Sequence, residues 1–200
     1  ADNGYTLSGT REAGNVSFAT FLKGEEYIYT YYKSNSNTIR AIVGPTSQMP
    51  DAPTGETPEK IAEPTLTMVG QAYSDIGLGM IYRLPDGRFV IFDGGAKYSK
   101  DLVYKALEAQ RVTDRITIAA WFLTHPHGDH HGGFVEFLEN HGDEVVIENI
   151  VFNFATTERY QAVSGEESNT IMTVVRQMAR HDLSDAKFIK PHTGQVLEFG

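Results

Sequence analysis

The stretch ITIAAWFLTHPHGDHHGG, residues 116–133, decides the fold because it joins an apolar run to a cluster of polar side chains. Residues 116–124 are apolar almost throughout, which is typical of a strand buried on both faces of a sheet between helices. The polar residues follow at the carboxyl end of that strand and precede a helix predicted at 132–141. Because α/β folds usually assemble their sites at such ends, the sequence predicts an α/β sandwich with a functional loop here.

The loop contains four of the seven histidines of the chain and one aspartate. Pro126 favours an extended backbone before it, in which residues two apart point the same way, and Gly128 then lets the chain turn. The chain has no cysteine, so any metal is held by nitrogen and oxygen, which suits zinc, with iron or manganese as alternatives. The competing interpretation is a polar turn that caps a helix, with Asp129 near the positive end of the helix dipole.

The hydrophobic pattern predicts the remaining elements of residues 65–200. Strands are expected at 65–70, 78–84 and 88–93, the last two joined by a Pro-Asp-Gly turn. A helix at 99–110, capped by Ser99, presents an apolar stripe of Leu102, Val103, Ala106 and Leu107. Further on we expect a strand at 147–154, a helix at 167–181 with Ile171, Val174, Val175 and Met178 on one side, and two short strands around a turn at Thr193 and Gly194.

Residues 1–44 have a different pattern, with strand-like runs separated by turn residues, and predict short antiparallel β-hairpins. The alternating tyrosines of this region, Tyr27, Tyr29, Tyr31 and Tyr32, are predicted to pack, with a ligand-stacking surface as the alternative. Residues 45–64 contain five of the eight prolines and are predicted to be an extended linker. The expected domains are therefore 1–44, the linker 45–64, and 65–200.

Charge and hydropathy exclude several classes of protein. The net charge is −9 and the 17 basic residues are scattered, which disfavours long nucleic acid as a partner. No apolar run is long enough to cross a membrane, and the first residues do not resemble a signal peptide. We expect a soluble chain, cytoplasmic or extracytoplasmic, with any targeting segment outside it; the lack of cysteine does not identify the compartment.

The segment THPHGDHHGG at 124–133 resembles the HxHxDH signature of the metallo-β-lactamase superfamily. FVIFDGG at 89–95 resembles the strand ending in Asp-Gly that precedes this signature. Residues 67–95 are also similar to the opening strands of the branch related to the hydrolase domain of bacterial competence DNA-uptake proteins. The resemblance covers about residues 65–200 and implies an αββα sandwich, of which this chain would hold the N-terminal half; it does not extend to residues 1–63.

The resemblance also implies roles for individual residues. His125 and His127 would bind a first metal ion, and Asp129 and His130 a second. In the family a metal-bound hydroxide attacks an ester, amide or phosphodiester, and Asp129 would orient or deprotonate that water. Asp93 would accept the ring N–H of a ligating histidine, although it could equally be a plain turn residue. His131 matches no ligand position and is expected to support the site or to be exposed.

A binuclear member of the family needs further ligands, including a third histidine for the first metal. His141 and His181 lie near predicted helix ends, where a histidine commonly contacts free carbonyl groups. His192 is a weak candidate, because HTGQVLEFG at 192–200 resembles the family segment that precedes the next ligand. The expectation is therefore a piece of a longer polypeptide, cut within the hydrolase domain, with the missing ligands beyond Gly200.

The sequence thus favours a metal-dependent hydrolase, with one or two zinc ions, that acts on a small ester or phosphodiester. The alternative is a hydrolase-like domain without activity that serves as the binding module of a larger surface or regulatory protein. In that case the aromatic hairpins would bind the partner.

Overall fold

The computed structural model describes residues 3–52, 54–69, 77–98, 100–156, 158–159, 162, 173–179, 181, 183 and 185–199. The strands are β1 (Thr6–Ala13), β2 (Val16–Lys23), β3 (Glu26–Lys33), β4 (Thr38–Pro45), β5 (Thr65–Met68), β6 (Gly79–Arg83), β7 (Phe89–Asp93), β8 (Thr117–Leu123), β9 (Val146–Ile147), β10 (Asn149–Phe152) and β11 (Lys187–Ile189). The helices are α1 (Leu102–Glu108) and α2 (Gly128–His141), and residues 173–179 are also helical. No helix within the described ranges has both the length and the apolar character needed to cross a membrane.

The chain divides into two compact units. The first consists of Ala1–Asp51 together with Ile189–Leu197, and the second of Ala52–Phe188 together with Glu198–Gly200. Residues 189–197 therefore group with the N-terminal strands, whereas the sequence pattern assigns all of 65–200 to one domain. Residues 54–64 of the proline-rich segment contain no helix or strand, and the N–H groups of Ile61 and Ala62 donate to the carbonyl of Pro85.

The first unit contains a four-stranded antiparallel sheet in the order β1-β2-β3-β4, as the hairpin pattern predicts. Its core consists of Phe18, Tyr27 and Tyr29, with Tyr31 packed against them. The packing interpretation is therefore confirmed for these three tyrosines. It is wrong for Tyr32, which alternation directs to the other face of the sheet, where 37% of it is exposed.

The second unit is built on a seven-stranded sheet in the order β11-β10-β8-β7-β6-β5, with β9 paired to β8. β6 pairs antiparallel with both β5 and β7, whereas β7 and β10 pair parallel with β8, which lies between them. The carboxyl ends of β7 and β8 consequently lie side by side at one end of the sheet. The result is a mixed α/β chain with two sheets, in agreement with the predicted fold class.

α1 and α2 each bury an apolar side in the core that covers the sheet. In β8, the strand predicted to be buried on both faces, Trp121 is fully buried and its indole meets the rings of Phe134 and Phe137 from α2 edge-on, at centroid distances of 4.9 and 5.0 Å. From α1, Val103 and Leu107 are buried in the same cluster. The predicted stripe is confirmed, since Leu102 and Ala106 also pack against this core.

Several predicted boundaries are wrong. α2 begins at Gly128 rather than at 132, because His127 is still extended and its carbonyl accepts the N–H groups of His130 and His131. α1 begins at Leu102, after Asp101, and the predicted cap Ser99 lies outside the described residues. The strand expected at 147–154 is two short strands interrupted at Glu148, whose N–H donates to the carbonyl of Ile118.

The C-terminal predictions are partly correct. The helix expected at 167–181 is described over 173–179, where Val174 is buried and Met178 packs on the core. Val175 is 48% exposed, because it lies about 100° around the helix from Val174; Ile171 lies outside the described residues. The turn at Thr193 and Gly194 is present, but of the two strands predicted around it only β11 forms, and residues 195–199 are irregular.

Candidate metal centre

The histidine loop is held where the ends of three segments meet. Asp93 ends β7, Thr124 follows the parallel strand β8, and the loop leads directly into α2. Two backbone hydrogen bonds join α2 to the segment after β7: Gly94 donates to the carbonyl of His130 over 2.8 Å, and Gly133 donates to the carbonyl of Gly95 over 2.7 Å. The first turns of α2 are therefore fixed against the end of β7.

The glycine pair after the histidines is required by the close approach of two backbones. A Cβ atom on Gly133 would lie 1.9 Å from the carbonyl oxygen of Gly94, and one on Gly132 would lie 2.2 Å from the nitrogen of Lys97. Real Cβ atoms do not approach main-chain atoms this closely, and neither neighbour is a side chain that could turn away. Any larger residue would push α2 away from the segment after β7.

Asp93 lies at the centre of this arrangement and has no solvent exposure. One carboxylate oxygen, Oδ1, accepts the N–H of Thr124 over 2.8 Å. The other, Oδ2, is 2.7 Å from Thr124 Oγ1 and 2.8 Å from His130 Nδ1. Its own carbonyl accepts the indole N–H of Trp121 over 2.8 Å. The contact with His130 is the one that the family resemblance implies, and Asp93 ends β7 with a positive φ of 53°.

The structure brings the four predicted ligands together. The ring centroid of His125 lies 4.6 Å from that of His127 and 3.9 Å from that of His130. The Oδ2 atom of Asp129 is 3.7 Å from Nε2 of His130, on the side of the ring opposite Asp93. Three imidazoles and one carboxylate are thus grouped at the start of α2.

Burial lowers the pKa of His125, and the neighbouring His130 and His127 lower it further. Both effects favour the neutral ring, because a positive charge is poorly solvated there and would face two other imidazoles. The neutral ring is the form that binds a metal ion. The surroundings of His125 therefore favour its neutral ring.

The donor atoms fit zinc in type, and the pair formed by Asp129 and His130 also fits in spacing. Two ligands on a tetrahedral zinc ion, each bonded at about 2.0–2.1 Å, lie about 3.4 Å apart. The 3.7 Å between Asp129 Oδ2 and His130 Nε2 is close to that spacing. Within the described part of the chain, however, no three His, Asp or Glu side chains form a group that could hold one ion. The loop therefore offers pairs of ligands, fewer than the three protein ligands of a catalytic zinc site.

His131 is buried, with 5% of its surface exposed, so the expectation that it could be exposed is wrong. Neither ring nitrogen has a hydrogen-bond partner among the described residues, and burial lowers its pKa. As α2 starts early, His131 lies in the first turn of the helix beside Gly132, on the side that faces the protein.

His141 and His181 lie away from the loop. His141 ends α2, a helix of 14 residues and therefore about 20 Å long. Its ring stacks on Tyr104 at 3.6 Å and its Nδ1 is 3.2 Å from Oε1 of Glu144. Nδ1 of His181 is 3.6 Å from Oδ1 of Asp143. Both side chains contact carboxylates rather than the helix-end carbonyls that their positions predict.

His192 belongs to the first unit, where it is 8% exposed. Its Nε2 is hydrogen-bonded to the hydroxyl of Tyr27, and its ring stacks on Tyr29 at a centroid distance of 5.6 Å. Burial, and after it the charge of Lys190, lowers the pKa of His192. These contacts give His192 a place in the core of the first unit; a role as metal ligand stays a prediction.

Thr124 is the residue of this site that the sequence pattern did not single out. Its hydroxyl contacts both Asp93 and, over 3.0 Å, Nδ1 of His125. The position of Thr124 in the sequence could have indicated its role, because it lies directly between the buried strand and the first histidine.

Comparison with known proteins places the whole loop within one family. The family model of the metallo-beta-lactamase superfamily matches residues 76–196, which include β6 to β11 and all four predicted ligands. No curated protein matches the chain. The fold class and the superfamily predicted from the sequence are thereby confirmed, while the competence-type branch stays a prediction.

Proposed function

Since the chain belongs to the metallo-β-lactamase superfamily, we propose that it is a metal-dependent hydrolase whose metal centre is built on the loop 125–130. The observation that carries this proposal is the grouping of three imidazoles and one carboxylate at the start of α2. His125 and His127 are assigned to one ion, and Asp129 and His130 to the other. Zinc is the proposed metal because imidazole and carboxylate donors suit it, with iron or manganese as alternatives that the same donors would accept.

When bound, zinc lowers the pKa of a coordinated water toward neutrality and stabilises negative charge on the attacked centre. Asp129, at the N-terminus of α2, would accept a hydrogen bond or a proton from that water. Asp93 holds the ring of His130 through Nδ1, so Nε2 is directed away from the protein core. The neutral state favoured at His125 keeps its ring available as a ligand.

The proposed substrate is a small phosphodiester or ester. The net charge of −9 opposes the approach of a long polyanion, and this supports a small molecule over nucleic acid. Since catalytic zinc has three protein ligands, we expect the described pairs to bind zinc weakly on their own and to catalyse slowly.

Zinc binding tests the proposal. The chain is purified with a chelator, titrated with zinc against a chromophoric zinc indicator, and assayed with bis(p-nitrophenyl) phosphate and p-nitrophenyl acetate. We compare it with His127→Gln and with the matched control His141→Gln, which removes an imidazole from the other end of α2. We expect a loss of zinc affinity of about tenfold or more for the first variant only. Equal affinity in all three proteins, or no zinc binding at all, would contradict a metal centre on this loop.

A further inference from the structure

The contacts of Thr124 determine which nitrogen of His125 carries a proton. Its Oγ1 is 2.7 Å from Oδ2 of Asp93 and 3.0 Å from Nδ1 of His125. A hydroxyl group has one hydrogen to donate, whereas an ionised carboxylate can only accept. Since Asp93 cannot donate, the hydroxyl hydrogen of Thr124 points at Asp93.

Thr124 Oγ1 must then accept a hydrogen bond from His125, because its only hydrogen is already used. That requires the proton of the neutral ring to be on Nδ1 of His125 and leaves the lone pair on Nε2. His130 reaches the same state directly, as its Nδ1 lies 2.8 Å from the same carboxylate oxygen. One buried carboxylate is thus linked to two histidines, once directly and once through a hydroxyl group.

We propose that Thr124 is a positioning residue of the metal centre. Its hydroxyl group connects Asp93 to His125 by hydrogen bonds, so that His125 and His130 both present Nε2 as the metal-binding atom. The role in metal binding rests on the proposed function, but the position of the proton on the His125 ring is a property of the metal-free chain. The charge-assisted chain from His125 through Thr124 to Asp93 also fixes the rotation of the His125 ring. A ligand fixed in tautomer and orientation loses less entropy when it binds an ion.

A purely structural role for Thr124 makes a different prediction. Thr124 also donates its backbone N–H to Oδ1 of Asp93 over 2.8 Å, and this bond alone could tie the loop to β7. If the hydroxyl served only to fill space, then valine, which has nearly the same shape, would leave His125 unchanged. The tautomer of His125 therefore distinguishes the two roles, since shape does not set it.

The experiment measures this tautomer in the metal-free chain by two-bond ¹H–¹⁵N correlation NMR, above the ordinary histidine pKa so that the rings are neutral. In the unmodified chain we expect Nδ1–H at both His125 and His130. In Thr124→Val we expect His125 to shift mainly to Nε2–H, the preferred form of a free neutral imidazole, while His130 keeps Nδ1–H and serves as the internal control. Thr124→Ser should restore the unmodified pattern.

Zinc affinity gives the second measurement. We expect Thr124→Val to weaken zinc binding by about 10- to 100-fold and Thr124→Ser to recover most of it. Nε2–H at His125 in the unmodified chain would overturn the proposal without any variant, so poor folding of Thr124→Val does not prevent a decision. An unchanged tautomer in a folded Thr124→Val would also overturn it. A chain with the expected tautomers that binds no zinc would overturn the proposed function and leave the assignment of Thr124 intact.

Discussion

Oδ2 of Asp93 and Nδ1 of His130 lie 2.8 Å apart, although 37 residues separate them in the sequence. The contact joins the end of β7 to the first turn of α2, and Asp93 makes it from a fully buried position. The same oxygen also accepts a hydrogen bond from the hydroxyl group of Thr124. This one carboxylate therefore links the stability of the fold to the orientation of the loop.

Asp93→Asn should lower both stability and zinc affinity. The amide group replaces one accepting oxygen by a donor, so at least one of the buried donors around it loses its partner. We expect a loss of about 1–3 kcal/mol in the free energy of unfolding, measured with urea, and a fall of about 10- to 100-fold in zinc affinity. The control is Asp114→Asn, at an exposed position. Equal stability of the two variants would contradict the central role of Asp93.

Gly133→Ala should destabilise the chain strongly, and Gly128→Ala should not. A Cβ atom at 133 would lie 1.9 Å from the carbonyl oxygen of Gly94, whereas a Cβ atom at 128 meets nothing within 4 Å. We expect about 1–3 kcal/mol of destabilisation from overpacking at 133 and less than about 0.5 kcal/mol at 128. Thermal unfolding followed by circular dichroism measures both. Similar melting curves for the two variants would show that α2 and the segment after β7 are not in close contact.

Trp121→Phe should cost about 2 kcal/mol of stability, because it removes a buried hydrogen bond to the carbonyl of Asp93 and part of a fully buried side chain. Trp121 is the only tryptophan, so unfolding must be followed by circular dichroism rather than by fluorescence. Tyr82→Phe, at a residue that is 38% exposed, is the control and should change stability by less than about 0.5 kcal/mol. If Trp121→Phe were as stable as this control, the buried hydrogen bond and the packing of the indole would not contribute to stability as proposed.

Acidification should destabilise the first unit through His192. Burial, followed by the charge of Lys190, lowers the pKa of this histidine in the folded state below its ordinary value of 6.5. The unfolded chain therefore binds a proton more readily, so the contribution of His192 is complete above about pH 6.5 and is lost as pH falls through the folded pKa. Hydrogen exchange of the amides of β2 and β3, recorded across this range, measures the effect.

His192→Asn tests the origin of this pH dependence. Asparagine can still bond to the hydroxyl of Tyr27 but does not titrate, so the variant should lose less stability than the unmodified chain between pH 7 and pH 5. A variant with the same pH dependence as the unmodified chain would assign the effect to other groups.

Features of the fold that depend on a local sequence pattern could be predicted from the sequence. The apolar run at 116–124 and the spacing of the histidines are local signals, so the buried strand and the grouping of the four side chains could be predicted. The start of α2 could not, because residues 128–131 are polar or glycine and carry no apolar period of 3.6 residues. Its position depends on the backbone contacts of Gly132 and Gly133 with a segment about 35 residues earlier.

The link between Tyr27 and His192 was equally beyond prediction from the sequence, since 165 residues separate the two side chains. No local pattern encodes such a pairing. Thr124 was missed for another reason. A lone threonine after a strand is common, and only the positions of its two neighbours reveal that its hydroxyl is shared between them.

The backbone contact between Gly133 and Gly94 has a consequence for protein engineering. Transplanting HPHGDH alone onto the end of a strand in another scaffold would supply the histidines without the surface against which their helix rests. The smallest portable unit also includes residues 93–97 and the glycine pair 132–133, because a Cβ atom on either glycine would collide with the backbone of 94–97. A designer would therefore have to graft two chain segments and choose a host with two adjacent parallel strands to receive them.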